Sequence, residues 1–138
     1  MLGGGQVPNV VGMARRRILK IKVQIYCGDE IAMGPGKADL LEAIGEHGSI
    51  SAAGRAMDMS YRRAWLLVDA MNRCWETPLV HTAPGRAPGS GARLTEMGED
   101  VLQLYRSLQA SLQKASRADE YDRLTRMLLA EPRESQKV

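Results

Sequence analysis

The sequence predicts a mainly α fold with small β elements, and three observations carry that prediction. Residues 48–77 hold two capped helical patterns joined by a three-residue turn. A stretch rich in Pro and Gly, residues 82–91, lies between two short apolar segments and has the composition of a loop that does not fold alone. Beyond Thr95, apolar residues recur every three or four positions. Together they describe a winged helix-turn-helix with an N-terminal β-hairpin and a long C-terminal dimerisation helix.

The chain has 138 residues, of which 44% are hydrophobic, enough for one compact core but not two. A net charge of +3 is compatible with a nucleic-acid partner and equally with an ordinary globular protein. No apolar run reaches the roughly 20 residues that span a bilayer, and the start lacks the apolar segment of a secretory signal. A cytoplasmic location is therefore expected, with no membrane partner. Cys27 and Cys74 stand far apart, without a C-x-x-C pair or a His at ligand spacing, so they are expected to be free, partly buried thiols in a reducing compartment.

Residues 1–17 are expected to form a flexible tail, in which the run Arg15-Arg16-Arg17 reads as a solvated basic segment. A winged helix-turn-helix domain is expected over 18–94. It opens with strict alternation: Leu19, Ile21, Val23 and Ile25 share one face, and Lys20, Lys22, Gln24 and Tyr26 the other, the pattern of a half-buried strand. Cys27-Gly28-Asp29-Glu30 supplies a turn, and Ile31-Ala32-Met33 is expected to return as the partner strand. Gly34-Pro35-Gly36 punctuates the chain before a helix that starts near Lys37 and stops at Gly48.

Ser49 is placed to cap the next helix, whose Ala52, Ala53 and Ala56 permit close packing. Met57-Asp58-Met59 turns the chain, and Ser60 caps a helix from Tyr61 to about Thr77. Wound at 3.6 residues per turn, that helix gathers Ala64, Leu67, Val68, Met71, Cys74 and Trp75 on one side. Arg62, Leu66, Asp69 and Arg73 lie opposite, with Tyr61, Trp65 and Asn72 on one boundary and Arg63 on the other. One anchoring side and one arginine-bearing side suit a helix that enters a major groove. The expected DNA contacts are Ser60, Tyr61, Arg62, Arg63 and Arg73, whereas Trp65 is expected to pack against a neighbouring hairpin or helix. Leu79-Val80-His81 and Ala92-Arg93-Leu94 are expected to pair as strands, so that Arg86 in the connecting loop and Arg93 at its base reach phosphates or a minor groove.

Thr95 caps the following helix, with Gly98 standing where a full capping box has Glu or Gln. A helical dimerisation region is expected over 95–130, with Val101, Leu104, Tyr105, Leu108 and Leu112 facing a second copy. Arg117-Ala-Asp-Glu interrupts the stripe, so a bend or a second short helix is expected there, followed by a polar tail over 131–138. No enzyme site is expected: His47 and His81 lack a nucleophile or carboxylate at recognisable spacing, and no phosphate-binding glycine loop is present.

Three segments resemble one family. Gly-Ser-Ile-Ser-Ala-Ala at 48–53, Ser60-Tyr-Arg-Arg-Ala-Trp65 with Met71-Asn72, and Leu94-Thr95-Glu-Met-Gly98 leading to Gln103-Leu-Tyr105 resemble the N-terminal DNA-binding domain of ModE-type molybdate-responsive regulators. They are more distantly similar to the winged helix of LysR-type regulators. The resemblance extends from about Lys20 to Leu112. It implies a bacterial, dimeric transcription regulator of molybdate-uptake or molybdenum-enzyme genes, reading a palindromic operator in double-stranded DNA. Such regulators continue into Mop-type domains that bind the oxyanion, and this sequence has no Ser-Ala-Arg-Asn segment of that kind. The expectation is a natural single-domain member with no cofactor or metal held by this chain, molybdate being implied by the resemblance alone. A second reading of the same residues is a winged-helix protein-interaction module that binds no DNA.

Overall fold

The structure, a computed structural model, describes residues 18–83, 85, 91–114 and 118–136. The chain divides into two compact units, one formed by residues 21–111 and the other by 1–20 with 112–138. The larger unit carries the winged helix-turn-helix.

It opens on a hairpin in which β1 (Ile25–Cys27) pairs antiparallel with β2 (Glu30–Met33). Gly28, at φ 60°, sits in the two-residue connection where a left-handed conformation is required. The expected strand from Leu19 is thus shorter than its alternation suggests. Leu19, Ile21, Val23 and Ile25 are half-buried and Lys20, Lys22, Gln24 and Tyr26 exposed, as the period-two pattern requires. The ladder nevertheless stops at Ile25. Its partner strand ends at Met33, and Gly34-Pro35 then turns the chain into a helix, leaving nothing for the preceding residues to pair with.

Helix α1 (Pro35–His47) starts two residues before Lys37, because Pro at the first helical position has no amide that needs a partner. Gly48 ends it in the left-handed conformation at φ 77°, its amide donating to the Ile44 carbonyl over 2.9 Å. Ser49 then caps α2 (Ile50–Ala56), its Oγ accepting from the Ala52 amide at 3.0 Å. Asp58, at φ 57°, makes the corner. Ser60 caps α3 (Tyr61–Cys74), its Oγ accepting from the Arg63 amide at 3.1 Å.

Close approach between α2 and α3 comes from Gly54 and Ala53 rather than from Ala52 and Ala56. A Cβ built on Gly54 would stand 3.3 Å from the Ala64 Cβ, while Ala56 is exposed. Helix α3 buries Ala64, Val68 and Met71, with Leu67 and Trp75 packed at the margin, so the anchoring stripe read from the sequence is the one the fold uses. The centre of the core is Met33, Leu40, Leu41, Ile44, Met71 and Leu79, all fully buried.

The second hairpin pairs β3 (Val80–Ala83) with β4 (Gly91–Leu94), opposing Val80 to Leu94 and His81 to Arg93. Its base is pinned to the end of α1 by the Ala92 amide, which donates to the Gly48 carbonyl at 2.8 Å. Gly91, at φ 112°, lies so close that a Cβ there would collide with the Gly48 carbonyl oxygen.

Helix α4 (Glu96–Gln113) follows. Thr95 Oγ1 accepts from the Gly98 amide at 3.0 Å while its hydroxyl donates to the Pro78 carbonyl at 2.7 Å. Gly98 stands in place of the capping-box residue because any side chain would run into the Leu79 carbonyl. Two residues that the spacing assigns to a partner surface face inward instead. Val101 is 7% exposed and Tyr105 2%, with the Tyr105 hydroxyl donating to the Val23 carbonyl at 2.7 Å. They fill the space between α4 and the extended segment before β1, which an eighteen-residue helix must cover before any partner is met. Leu104 and Leu108 are exposed on the same helix. Arg106 ties α4 to α1 through Asp39 and Glu42, each at 2.7 Å. Burial works against its charge, yet these bonds raise its pKa.

In the smaller unit Gln113 Nε2 donates to the Leu19 carbonyl at 3.1 Å, and Leu112 is exposed. Helix α5 (Asp119–Met127) realises the expected second short helix, with Asp119, Glu120 and Asp122 in its first turn and Arg126 in its last, the arrangement that suits the helix dipole. Leu124, Met127, Leu128 and Leu129 are exposed there.

Candidate nucleic-acid interface

The surface of interest is built around the first turns of α3. Capping by Ser60 fixes where the helix starts, and the buried Ala64 and Val68 fix its rotation, so Arg62 and Arg63 are both exposed. Neither forms an ion pair among the described residues. A helix start with free amides carries partial positive charge, and two guanidinium groups add to it.

Beside these cations stands an apolar shelf. Tyr61 is 57% exposed, Trp65 46% and Leu66 47%, a large aromatic and aliphatic area left open to water on a helix that otherwise buries its apolar side well. Tyr61 and Trp65 form one wall of an open cleft of about 310 Å³. Ser49, Ile50 and Ser51 form its floor at the start of α2, and Thr82, Ala83, Gly91 and Ala92 at the loop end of the second hairpin's ladder form the other wall. The helical wheel alone packs Trp65 against a neighbour; the fold leaves it open, because Gly91 and Ala92 present almost no side chain for an indole to press against. The apolar, uncharged wall of this cleft complements a base edge bearing a methyl group, and the exposed guanidinium groups of Arg62 and Arg63 at the start of the same helix complement phosphate.

Arg73 belongs elsewhere. Its Nη2 lies 2.8 Å from Glu30 Oε1 and its Nε 2.9 Å from Asp69 Oδ2. Those two carboxylates raise the guanidinium pKa, and the hydrogen bond from Arg73 holds the Glu30 carboxyl below its usual value. Two negative partners offset its charge, so the expected groove contact at Arg73 is replaced by a tie between α3 and the first hairpin. Sequence position places it on the outer face correctly, but nothing in the spacing shows that Glu30, 43 positions away, meets it. Arg93 is exposed on β4 opposite His81, at the base of the hairpin and on the outer side from buried Ala92. Arg86, and with it the loop tip, lies outside the described residues, as do Arg15, Arg16 and Arg17.

One residue that holds the interface together is not evident from the helical wheel, which puts it on a boundary and no more. Asn72 Oδ1 accepts from the Leu79 amide at 2.9 Å and the Val80 amide at 3.0 Å, and its Nδ2 donates to the Val80 carbonyl at 3.1 Å. The side chain thereby replaces a strand partner for the chain entering β3 and sets the wing against α3. Leu79 and Val80 are buried, so without Asn72 these amides would lack a partner where water is scarce. Its position directly after the core residue Met71 is the signal the sequence offers.

Among the described residues no three His, Cys, Asp or Glu side chains are grouped to hold a metal ion. No helix among them is long and apolar enough to cross a membrane.

Residues 37–99 match the family described as bacterial regulatory helix-turn-helix protein, lysR family. The chain is 45% identical over 82 residues to the molybdenum-pterin-binding protein MopB of Rhodobacter capsulatus, covering 59% of this chain and 30% of that protein. Against MopA of the same organism it is 41% identical over 83 residues, covering 60% and 31%. It is 36% identical over 98 residues to the DNA-binding transcriptional dual regulator ModE of Escherichia coli K12, covering 71% of this chain and 36% of the relative. The matched stretch thus spans about a third of the length of these relatives.

Proposed function

Because the chain carries a ModE-type N-terminal winged helix-turn-helix domain, we propose that it is a sequence-specific DNA-binding transcription regulator in which α3 enters the major groove. The observation that carries this reading is the exposed start of α3: Tyr61 and Trp65 stand open beside the second hairpin and Arg62 and Arg63 are exposed on the same first turn and a half, while Ala64, Val68 and Met71 of the helix are locked into the core. Arg62 and Arg63 contact guanine edges or phosphate, Tyr61 and Ser60 donate to the backbone, and Trp65 lies against thymine methyl groups. Arg93 and the loop that holds Arg86 follow the adjacent phosphates.

The protein acts in the cytoplasm as a homodimer. Leu104 and Leu108 are exposed on α4, and a twofold pair of reading helices calls for a palindromic operator. Names of relatives that refer to molybdenum point to genes for molybdate uptake or molybdenum enzymes as its targets. Selection of bound fragments from random duplexes tests the reading. The expected outcome is a palindrome whose half-sites lie about one helical turn apart. A protein that retains no duplex at low salt would instead be an interaction module.

A further inference from the structure

The two cysteines stand 47 positions apart in the chain, yet the fold brings them to one place. Cys27 is the last residue of β1 and the direct cross-strand partner of Glu30. Side chains directly opposite in an antiparallel pair project from the same face with Cβ atoms about 5 Å apart. The Glu30 carboxylate in turn meets the end of α3, with Oε2 3.8 Å from Cys74 Sγ. Cys27 is thus the cross-strand neighbour of the residue whose carboxylate accepts from Cys74, and it is near enough to help raise the Cys74 pKa. Both are free, Cys27 exposed and Cys74 partly so. A disulfide needs its two Cβ atoms within about 3.5 to 4.5 Å, and the shared neighbour Glu30 brings the two cysteines to one end of the hairpin.

We propose that Cys27 and Cys74 are a peroxide-oxidisable dithiol that closes an intramolecular disulfide between the first hairpin and the last turn of the reading helix.

The order of events follows from exposure and surroundings. Arg73 and Glu30 lie at the pair, Asp69 flanks Arg73, and the Lys37 ammonium of α1 is close enough to feel both Cys74 and Glu30. Burial, then the neighbouring Cys27 thiol and Glu30, pushes the Cys74 thiol up and keeps it protonated. Cys27 is the more exposed sulfur and therefore the attacking group. Its thiolate sulfur displaces one oxygen of hydrogen peroxide. The O–O bond breaks, one oxygen stays on sulfur as a sulfenic acid, and the other leaves as water after taking up the thiol proton. Cys74 sulfur then displaces the sulfenic hydroxyl, which departs as a second water with the Cys74 proton. Two thiols and one peroxide give one disulfide and two waters, the thiols oxidised and the peroxide reduced. Transient disulfides of this kind are the ones a reducing compartment tolerates.

The experiment treats the reduced full chain with hydrogen peroxide, blocks residual thiols with an alkylating agent and analyses it without reductant. The expected result is a monomer that loses both alkylation sites together, yields one peptide joining Cys27 to Cys74, and recovers both thiols with dithiothreitol. Its thermal midpoint rises on oxidation, since the cross-link constrains the unfolded chain. In Cys74→Ser the reaction stops at a Cys27 sulfenic acid that dimedone captures, and in Cys27→Ser the remaining thiol reacts at least about tenfold more slowly. The proposal is overturned by cross-linking between chains, by sulfinic or sulfonic acid on one cysteine with the other still free, or by thiols that peroxide leaves unchanged.

Discussion

Gly98 shows how one residue can reverse a general rule. In the first turn of a helix, replacing Gly by Ala ordinarily stabilises by up to about 1 kcal/mol. Here a Cβ would strike the Leu79 carbonyl, the same oxygen that accepts from the Thr95 amide at 2.9 Å. Gly98→Ala is expected to destabilise by about 2 to 4 kcal/mol in urea denaturation, because backbone rather than a flexible side chain must give way. In the sequence Gly98 reads as an incomplete capping box; its cause is the approach of a segment 19 positions earlier, invisible to any local pattern. Glu30 offers a second test at this scale. Arg73 holds its carboxyl below the ordinary 4.5, so the tie contributes stability above that value and loses it as pH falls through the depressed one. The melting-temperature difference between wild type and Glu30→Gln should be small, constant from neutral pH down to about 5, and should shrink below 4.5. A difference that grew as the solution became more acidic would contradict the assigned partner.

Elements are legible where periodicity and caps agree. Both serine caps, the anchoring stripe of α3 and the β3–β4 pairing follow from short-range rules, since each depends on residues within a few positions of one another or on short apolar segments flanking one loop. Trp65 and Arg73 depart from their sequence-based expectations for a shared reason. A helical wheel tells which direction a side chain points but not what another element places there. Gly91 and Ala92 leave Trp65 uncovered, and Glu30 occupies Arg73. The open indole leads to a prediction for α3 as a reading element. Trp65→Ala should weaken binding to a selected duplex about tenfold, equivalent to about 1.4 kcal/mol, while binding to unrelated duplexes changes little. Replacing thymine by uracil, which removes only the methyl group, should reproduce part of that weakening in wild type and add nothing in Trp65→Ala. Fluorescence anisotropy with the four combinations measures the coupling.

At the scale of the whole molecule, the long apolar stripe after Thr95 holds buried and exposed residues that its spacing alone does not separate. Val101 and Tyr105 complete the core, whereas Leu104 and Leu108 on α4 remain open. Val101→Ala should therefore cost about 2 kcal/mol without altering assembly. Leu104→Glu with Leu108→Glu should leave the fold intact and convert a dimer to a monomer in sedimentation equilibrium, with loss of palindrome preference. The converse pattern would return the partner surface to the face that the structure buries.

Assembly, wing and reading helix all serve one proposed contact, the binding of double-stranded DNA by the start of α3 through Arg62 and Arg63. Anisotropy titrations of the selected duplex across a range of salt concentration test it most directly. Log K is expected to fall linearly with log salt concentration, and Arg62→Ala or Arg63→Ala to lower the slope by about one unit for each phosphate no longer neutralised. Removing an arginine bound to guanine instead costs about 1 to 3 kcal/mol of base discrimination. Binding that is absent at low salt, or that neither substitution changes in slope or selectivity, would contradict it.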